Sequence, residues 1–213
     1  IDGQWYVNDN MRLNTYYTVV EQDDLDEGTA AWETRMDYTT DAYGFLIGMR
    51  GVGENYEPDL GYVRRQGFNN RRLHLRRSFR MQDNNMVRRY SIQSWTNWTY
   101  ADDGPLESAL NGARFEIDFE SGENLQAKVE QRFERLFEPF ELSDEITYGI
   151  DDYRFTNATV RFSTSHSRRW SARAQLTLGD FYDGTRRDIS GSFGYIFNRH
   201  FTASGSLTKY SIE

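Results

Sequence analysis

From Trp170 to Leu178 every even-numbered residue is apolar or small and every odd-numbered residue is polar. A period of two places alternate side chains on opposite faces of a β-strand, and it is incompatible with the period of a helix. The same alternation recurs along the chain. Ala113, Phe115, Ile117 and Phe119 alternate with Arg114, Glu116, Asp118 and Glu120, and Leu125, Ala127 and Val129 with Gln126, Lys128 and Glu130. Ala158, Val160 and Phe162 continue it, as do Ile189, Gly191, Phe193, Tyr195 and Phe197, and then Phe201, Ala203, Gly205 and Leu207. No stretch sustains apolar spacings of three and four. The spacing predicts strands over 11–21, 29–39, 43–52, 70–80, 87–100, 107–119, 124–137, 153–165, 169–179, 186–197 and 201–211, with a shorter one at 3–8.

Most of these runs are longer than the five or six residues usual in globular sheets. At about 3.3 Å per residue and a tilt of about 40°, 13 residues rise about 33 Å, more than the roughly 25 Å apolar band of an outer-membrane barrel. The connections alternate in expected length: long at 22–28, 53–69, 101–106, 138–152 and 180–185, short near 40–42, 81–86, 120–123, 166–168 and 198–200. Long outer loops and short periplasmic turns are the pattern of such barrels. Pro58, Pro105 and Pro139, the three prolines of the chain, all fall in long connections, where no ladder donor is lost. The mean hydropathy of -0.81 excludes helical spans, which need about 20 consecutive apolar residues; the longest run here, Tyr43 to Met49, is broken by Gly44 and Gly48. It does not exclude spanning strands, whose alternate residues face a wet lumen. The expected fold is all-β: an antiparallel transmembrane β-barrel, or a portion of one, with about 11–12 strands in a single domain over 1–213. The alternative is a soluble β-barrel or β-sandwich binding module, which requires a second layer over each apolar face.

A turn at Ser121-Gly122-Glu123 would satisfy both faces of one hairpin. It sets Asp118 against Gln126, Glu116 against Lys128 and Arg114 against Glu130. On the other face Phe119 meets Leu125, Ile117 meets Ala127 and Phe115 meets Val129. Opposite charges and like apolar groups then stand across from one another, the arrangement that stabilises cross-strand pairs.

Charge is the most uneven feature. Residues 64–89 hold nine arginines and one acid, Asp83, so this segment carries +8 in a chain of net charge -8. On strand 70–80, Arg72, His74, Arg76 and Arg80 share one face, and Leu73, Leu75 and Phe79 the other. With the apolar face toward lipid, a charge ladder of Arg72, Arg76, Arg80, Arg89, Arg114, Glu116, Asp118, Lys128 and Glu130 faces the lumen, where charged residues tune which solutes pass. Equally, the arginines serve to neutralise acids on later strands, such as Glu116, Asp118, Glu130 and Glu134. The surrounding acidity argues against nucleic acid as a partner. Cysteine is absent, and His74, His166 and His200 are isolated, so neither a metal site nor any cofactor is expected. Asp23, Asp24, Asp26 and Glu27 read as a solvated acidic loop rather than a Ca²⁺ site. Glu141, Asp144 and Glu145 lack the fixed separation that glycoside hydrolysis needs. Ser165 and Ser167 flank His166, but neighbours on a strand point to opposite faces. No catalytic residues are assigned, and the chain is expected to be no enzyme.

Four short words occur in order in the connections: Gly61-Tyr-Val-Arg-Arg-Gln-Gly-Phe68, Phe137-Glu-Pro-Phe140, Asp152-Tyr-Arg-Phe155 and Gly179-Asp-Phe-Tyr-Asp-Gly184. Over roughly residues 55–210 the chain resembles the C-terminal barrel region of a large uncharacterised bacterial family. Its members join an N-terminal domain like carbohydrate-binding module family nine to an outer-membrane barrel. The resemblance implies an outer-membrane location and a link to carbohydrate, and it supplies no catalytic residues; no carbohydrate-binding-like domain is present in this chain. The expected function is a non-enzymatic outer-membrane protein, a passive solute pore or a platform for surface glycan handling. Its partners would be outer-membrane lipid and small solutes or glycans. With the 198–200 turn on the periplasmic side, strand 201–211 runs outward, so further strands, another chain or a second copy are expected to complete the barrel. The competing closure pairs 3–8 with 201–211.

Overall fold

Every alternating run forms a strand. The computed structural model describes residues 1–21, 27–59, 61–102, 104–143, 146–165 and 167–212. Its elements are β1 (Asp2–Asn8), β2 (Met11–Val19), β3 (Ala30–Thr39), β4 (Tyr43–Val52), β5 (Phe68–Arg80), β6 (Val87–Ala101), β7 (Leu106–Phe119), β8 (Asn124–Arg135), β9 (Phe140–Ser143), β10 (Ile146–Tyr148), β11 (Asp152–Ser163), β12 (Trp170–Phe181), β13 (Gly184–Asn198) and β14 (Phe201–Ile212). The twelve expected strands begin and end within two residues of these limits. They form one antiparallel sheet in the order β1-β2-β3-β4-β5-β6-β7-β8-β11-β12-β13-β14. β1 and β14 are the two ends of that order, and no ladder joins them among the described residues. The sheet is not closed into a barrel, and the closure through 3–8 and 201–211 is not made.

The chain divides into two compact units where the sequence suggests one domain. The first comprises Ile1–Arg76, Trp95–Asn111 and Phe133–Asp152, the second Arg77–Ser94, Gly112–Arg132 and Tyr153–Glu213. β5, β6, β7 and β8 each contribute residues to both, so alternation gives no sign of the division.

Three local expectations change. The 138–152 connection contains a separate two-stranded hairpin, β9–β10, whose strands are too short to show a period. The 180–185 connection shrinks to Tyr182-Asp183, because Phe181 pairs with Gly184 and Asp180 with Thr185. Tyr182 has φ 53°, a left-handed conformation that is uncommon outside Gly and Asn. Its ring packs 5.0 Å from Tyr153 and 5.4 Å from Phe155. Two of the recognised words, Asp152–Phe155 and Gly179–Gly184, thus meet in one aromatic cluster. Regular alternation of loop length therefore fails here: the intervals 20–29, 53–67 and 136–151 are long, but 102–105 and 182–183 are shorter than 81–86 on the other side.

The β7–β8 hairpin closes tighter than the Ser121–Glu123 pairing requires. The Phe119 N–H donates to the Glu123 carbonyl at 3.0 Å, and Asn124, not Gln126, reaches Asp118. A shift of two residues leaves every side chain on its own face, so the alternation could not distinguish the two registers.

Burial is inverted relative to a water-soluble sheet. Among the described residues nine buried side chains are polar, including Asp118 at 8% and Asp188 at 7% exposure, against seven that are apolar. Among the described residues no large side chain is fully buried. On β12 and β13 Leu176, Leu178, Ile189 and Phe193 are exposed, while Thr177 and Asp188 on the other face are buried. β4 repeats the pattern, with Tyr43, Ile47 and Met49 exposed and Gly48 buried.

One small apolar cluster exists, Ala31, Val52 and Phe68, with Tyr16, Tyr56 and Val63 packed on it. It holds the 53–67 connection down at its base. There the Gly53 N–H donates to the Ala30 carbonyl at 2.9 Å and the Asn55 N–H to the Gly28 carbonyl at 2.9 Å. Gly28 has φ +72°, and a Cβ on Gly53 would lie 2.1 Å from the Gly28 carbonyl oxygen. Both positions need glycine, one for its backbone angle and one for close approach. Gly53→Ala is expected to lower stability by about 1–3 kcal/mol and to expose 53–67 to protease, read by thermal unfolding and limited digestion.

Candidate functional site

The polar face of the sheet is dense in ionisable groups, and it is assembled separately in each unit. In the first unit β4 alternates glycines with larger residues on that face: Gly44, Leu46, Gly48 and Arg50. A Cβ on Gly44 would lie 3.1 Å from the Arg76 Nε, and one on Gly48 3.4 Å from the Arg72 Nε. The glycines leave slots that the β5 arginines fill. Arg72 donates to Glu33 Oε1 at 2.7 Å. Arg76 caps the β3–β4 turn, donating to the carbonyls of Thr40 at 2.6 Å, Asp41 at 3.2 Å and Tyr43 at 3.2 Å. Beside them Arg35 donates to Asp37 Oδ1 at 2.6 Å, with Arg12 3.7 Å from the same carboxylate.

In the second unit the ladder is a connected web. Arg89 donates twice to Asp118 Oδ2, at 2.9 and 2.6 Å. The Asn124 amide bridges Asp118 and Glu116, both at 2.8 Å, and Gln93 and Gln126 each reach Glu116 at 3.3 Å. Lys128 pairs with Glu130 at 2.6 Å on its own strand, so the expected Glu116–Lys128 pair is replaced. Further along, Arg161 donates to Gln175 at 2.8 Å and Arg186 to Asp188 at 2.7 Å. Arg114 lies half-buried on the same face, whereas Arg80 is exposed at the end of β5. Of the nine predicted ladder residues, Arg72 and Arg76 belong to the first unit and the other seven to the second. Arg72 finds its acid on β3 rather than on a later strand.

Outside the membrane-length strands, the β7–β8 turn is tied to the 164–169 connection. Arg168 pairs with Glu123 at 2.6 Å and donates to the Ser121 carbonyl at 3.2 Å. The Ser121 hydroxyl, which donates to Glu123, and secondarily Arg168 hold the Glu123 carboxyl below the usual carboxylate range.

The remaining candidates form no second site. Among the described residues no group of three or more metal-ligating side chains gathers. His74 lies on β5, and the His200 Nε2 accepts from Arg199 at 2.7 Å. Ser165 and Ser167 sit in a turn, not a strand, with their hydroxyls 2.7 Å apart; His166, Asp23, Asp24, Asp26, Asp144 and Glu145 lie outside the described residues. Sequence reasoning missed one feature: a cavity in the first unit between the polar face and the connection that follows β4, whose sequence signal is Tyr56 and Tyr62 beside Arg64 and Arg65.

No family model, curated protein or solved structure matches this chain.

Two outcomes follow from the web. Arg89→Met strands a buried Asp118 carboxylate with one amide partner, and is expected to cost about 2–3 kcal/mol, read by chemical denaturation. Because the Glu123 pKa is lowered in the folded state, its contribution is present above the usual carboxylate range and is lost as pH falls through the lowered value. Ser121→Ala should move the Glu123 midpoint upward, measured by NMR titration.

Proposed function

We propose that this chain forms part of the wall of a bacterial outer-membrane β-barrel. Its apolar face meets lipid, its charged face lines an aqueous lumen, and it serves as a non-enzymatic passive solute pore or a platform for surface glycans. The inverted burial carries the reading. Leucine, isoleucine and phenylalanine side chains stand exposed on one face of strands long enough to span, while Asp118, Asp188 and Thr177 are buried on the other. In water that arrangement forgoes the main driving force of folding; against hydrocarbon it is the expected one. Closure would have to pair β1 and β14, since each unsatisfied backbone group in hydrocarbon costs several kcal/mol. Additional strands, another chain or a second copy would supply those pairs. The four recognised words support the same location and, through the family they resemble, the link to glycans.

The pore reading predicts conductance of the purified chain, with whatever completes it, in planar bilayers. Replacing Arg72, Arg76 and Arg80 by Gln together should shift ion selectivity toward cations, since these groups would line the lumen. A reconstituted but silent barrel would favour the platform, and a chain that is folded, monomeric and soluble without detergent would contradict both.

A further inference from the structure

The first unit contains a cavity of about 830 Å³, within the range of small-molecule sites. Its floor is the polar face of β2–β6 and its roof comes from Tyr56 and from 62–65 of the connection between β4 and β5. The lining combines four aromatic rings, Tyr16, Tyr56, Tyr62 and Phe68, with three guanidinium groups, Arg50, Arg64 and Arg65. Among the described residues no carboxylate lines it, although Glu54, Glu57 and Asp59 belong to the same connection and the whole chain is acidic.

The arginines are unevenly committed. Arg65 is ion-paired to Glu107. Arg50 and Arg64 make no ion pair among the described residues. The Arg50 guanidinium carbon lies over the Phe68 ring, 5.1 Å from its centre, and that of Arg65 5.4 Å from the same ring. A guanidinium held over an aromatic ring keeps N–H donors for an oxyanion. The Arg50 Nε is buried and makes no hydrogen bond. Glu33 stands across from Arg50 in the β3–β4 register, but Arg72 already holds that carboxylate, so a half-buried cation with an unused donor is left with room for an external anion. Tyr56, half-buried, adds a flat apolar surface to the wall, and Tyr62, 88% exposed, stands at the rim.

We propose that this cavity binds a ring-bearing organic anion, a carboxylate or phosphate carried on a body the size of a sugar ring. Arg50 and Arg64 take the oxyanion, and the tyrosines pack against the ring. The roof is preorganised: Gln66 donates to the Tyr56 carbonyl at 2.7 Å, and the Asp102 N–H to the Gly67 carbonyl at 3.0 Å. The site lies on the polar face and so does not depend on what covers the apolar one.

The test is calorimetric titration of the whole chain in detergent micelles with glucuronate, glucose 6-phosphate, glucose and inorganic phosphate. Glucuronate or glucose 6-phosphate should bind saturably, and the tighter of the two identifies the oxyanion. Glucose, which lacks the charge, and inorganic phosphate, which lacks the ring, should bind at least about tenfold more weakly. Arg64→Gln, at an exposed position that folding does not need, should weaken binding about tenfold, the loss of one charge-assisted pair. Arg50→Gln should weaken it further. Arg71→Gln, whose side chain stacks on Tyr100 on the opposite face at 4.9 Å, should change nothing. No saturable binding below about 10 mM, equal binding of glucose or inorganic phosphate, or an unchanged affinity in Arg64→Gln would each overturn the proposal. Any of these would leave the barrel-wall reading to its own conductance measurement.

Discussion

The structure depends on keeping a charged face satisfied from within. Asp118 and Asp188 are buried and Glu33 half-buried among neighbouring side chains on the polar face, and a carboxylate packed there without a partner is far costlier than any single packing contact. Each is met by an arginine: Arg89, Arg186 and Arg72. The Asn124 amide occupies further acceptors of Asp118 and Glu116, while the Asp188 Oδ1 stays without a partner. Replacing such pairs by apolar residues would not by itself cost stability. Their presence fits a face that must remain polar for another reason, and a lumen supplies one.

Room for these long cations comes from glycine. Gly44 and Gly48 open slots on β4 that admit Arg76 and Arg72, while Gly28 and Gly53 let the 53–67 connection fold down over the polar face. That fold-over converts an open charged surface into a defined cavity. The same residues therefore link local backbone freedom to the two chemical features of the first unit, an ion-paired ladder and an arginine–tyrosine pocket.

The sequence reveals those parts of the fold that depend on period. Strict alternation in Trp170–Leu178 or Ala113–Glu120 leaves one choice of secondary structure and one assignment of faces, and both are what the strands adopt. Register is less legible, because a two-residue slip at Ser121–Glu123 preserves every face and only the short reach of Asn124 to Asp118 selects the tighter turn. Turns are less legible again: Gly179–Gly184 has the composition of a loop, yet Tyr182 takes a left-handed conformation supported by Tyr153 and Phe155. Short strands such as 140–143 leave no periodic trace. Of the site, which residues share a face of their own strand was readable, since a face is a local property. The partners were not, because Arg72 and Glu33 are joined only by the stacking of β3, β4 and β5. The cavity was not readable at all, for it depends on where a long connection lies.

The inverted sheet is tested most directly by spin labels placed singly along β11, β12 and β13 after reconstitution into lipid bilayers. Labels at Val160, Leu176, Leu178 and Phe193 should collide freely with oxygen dissolved in the bilayer and be sheltered from a water-soluble nickel chelate. Labels at Thr159, Gln175, Thr177 and Ser190 should show the reverse, so that accessibility alternates with a period of two residues. Equal access of the chelate to both sets would contradict the account, since the apolar face would then lie in water.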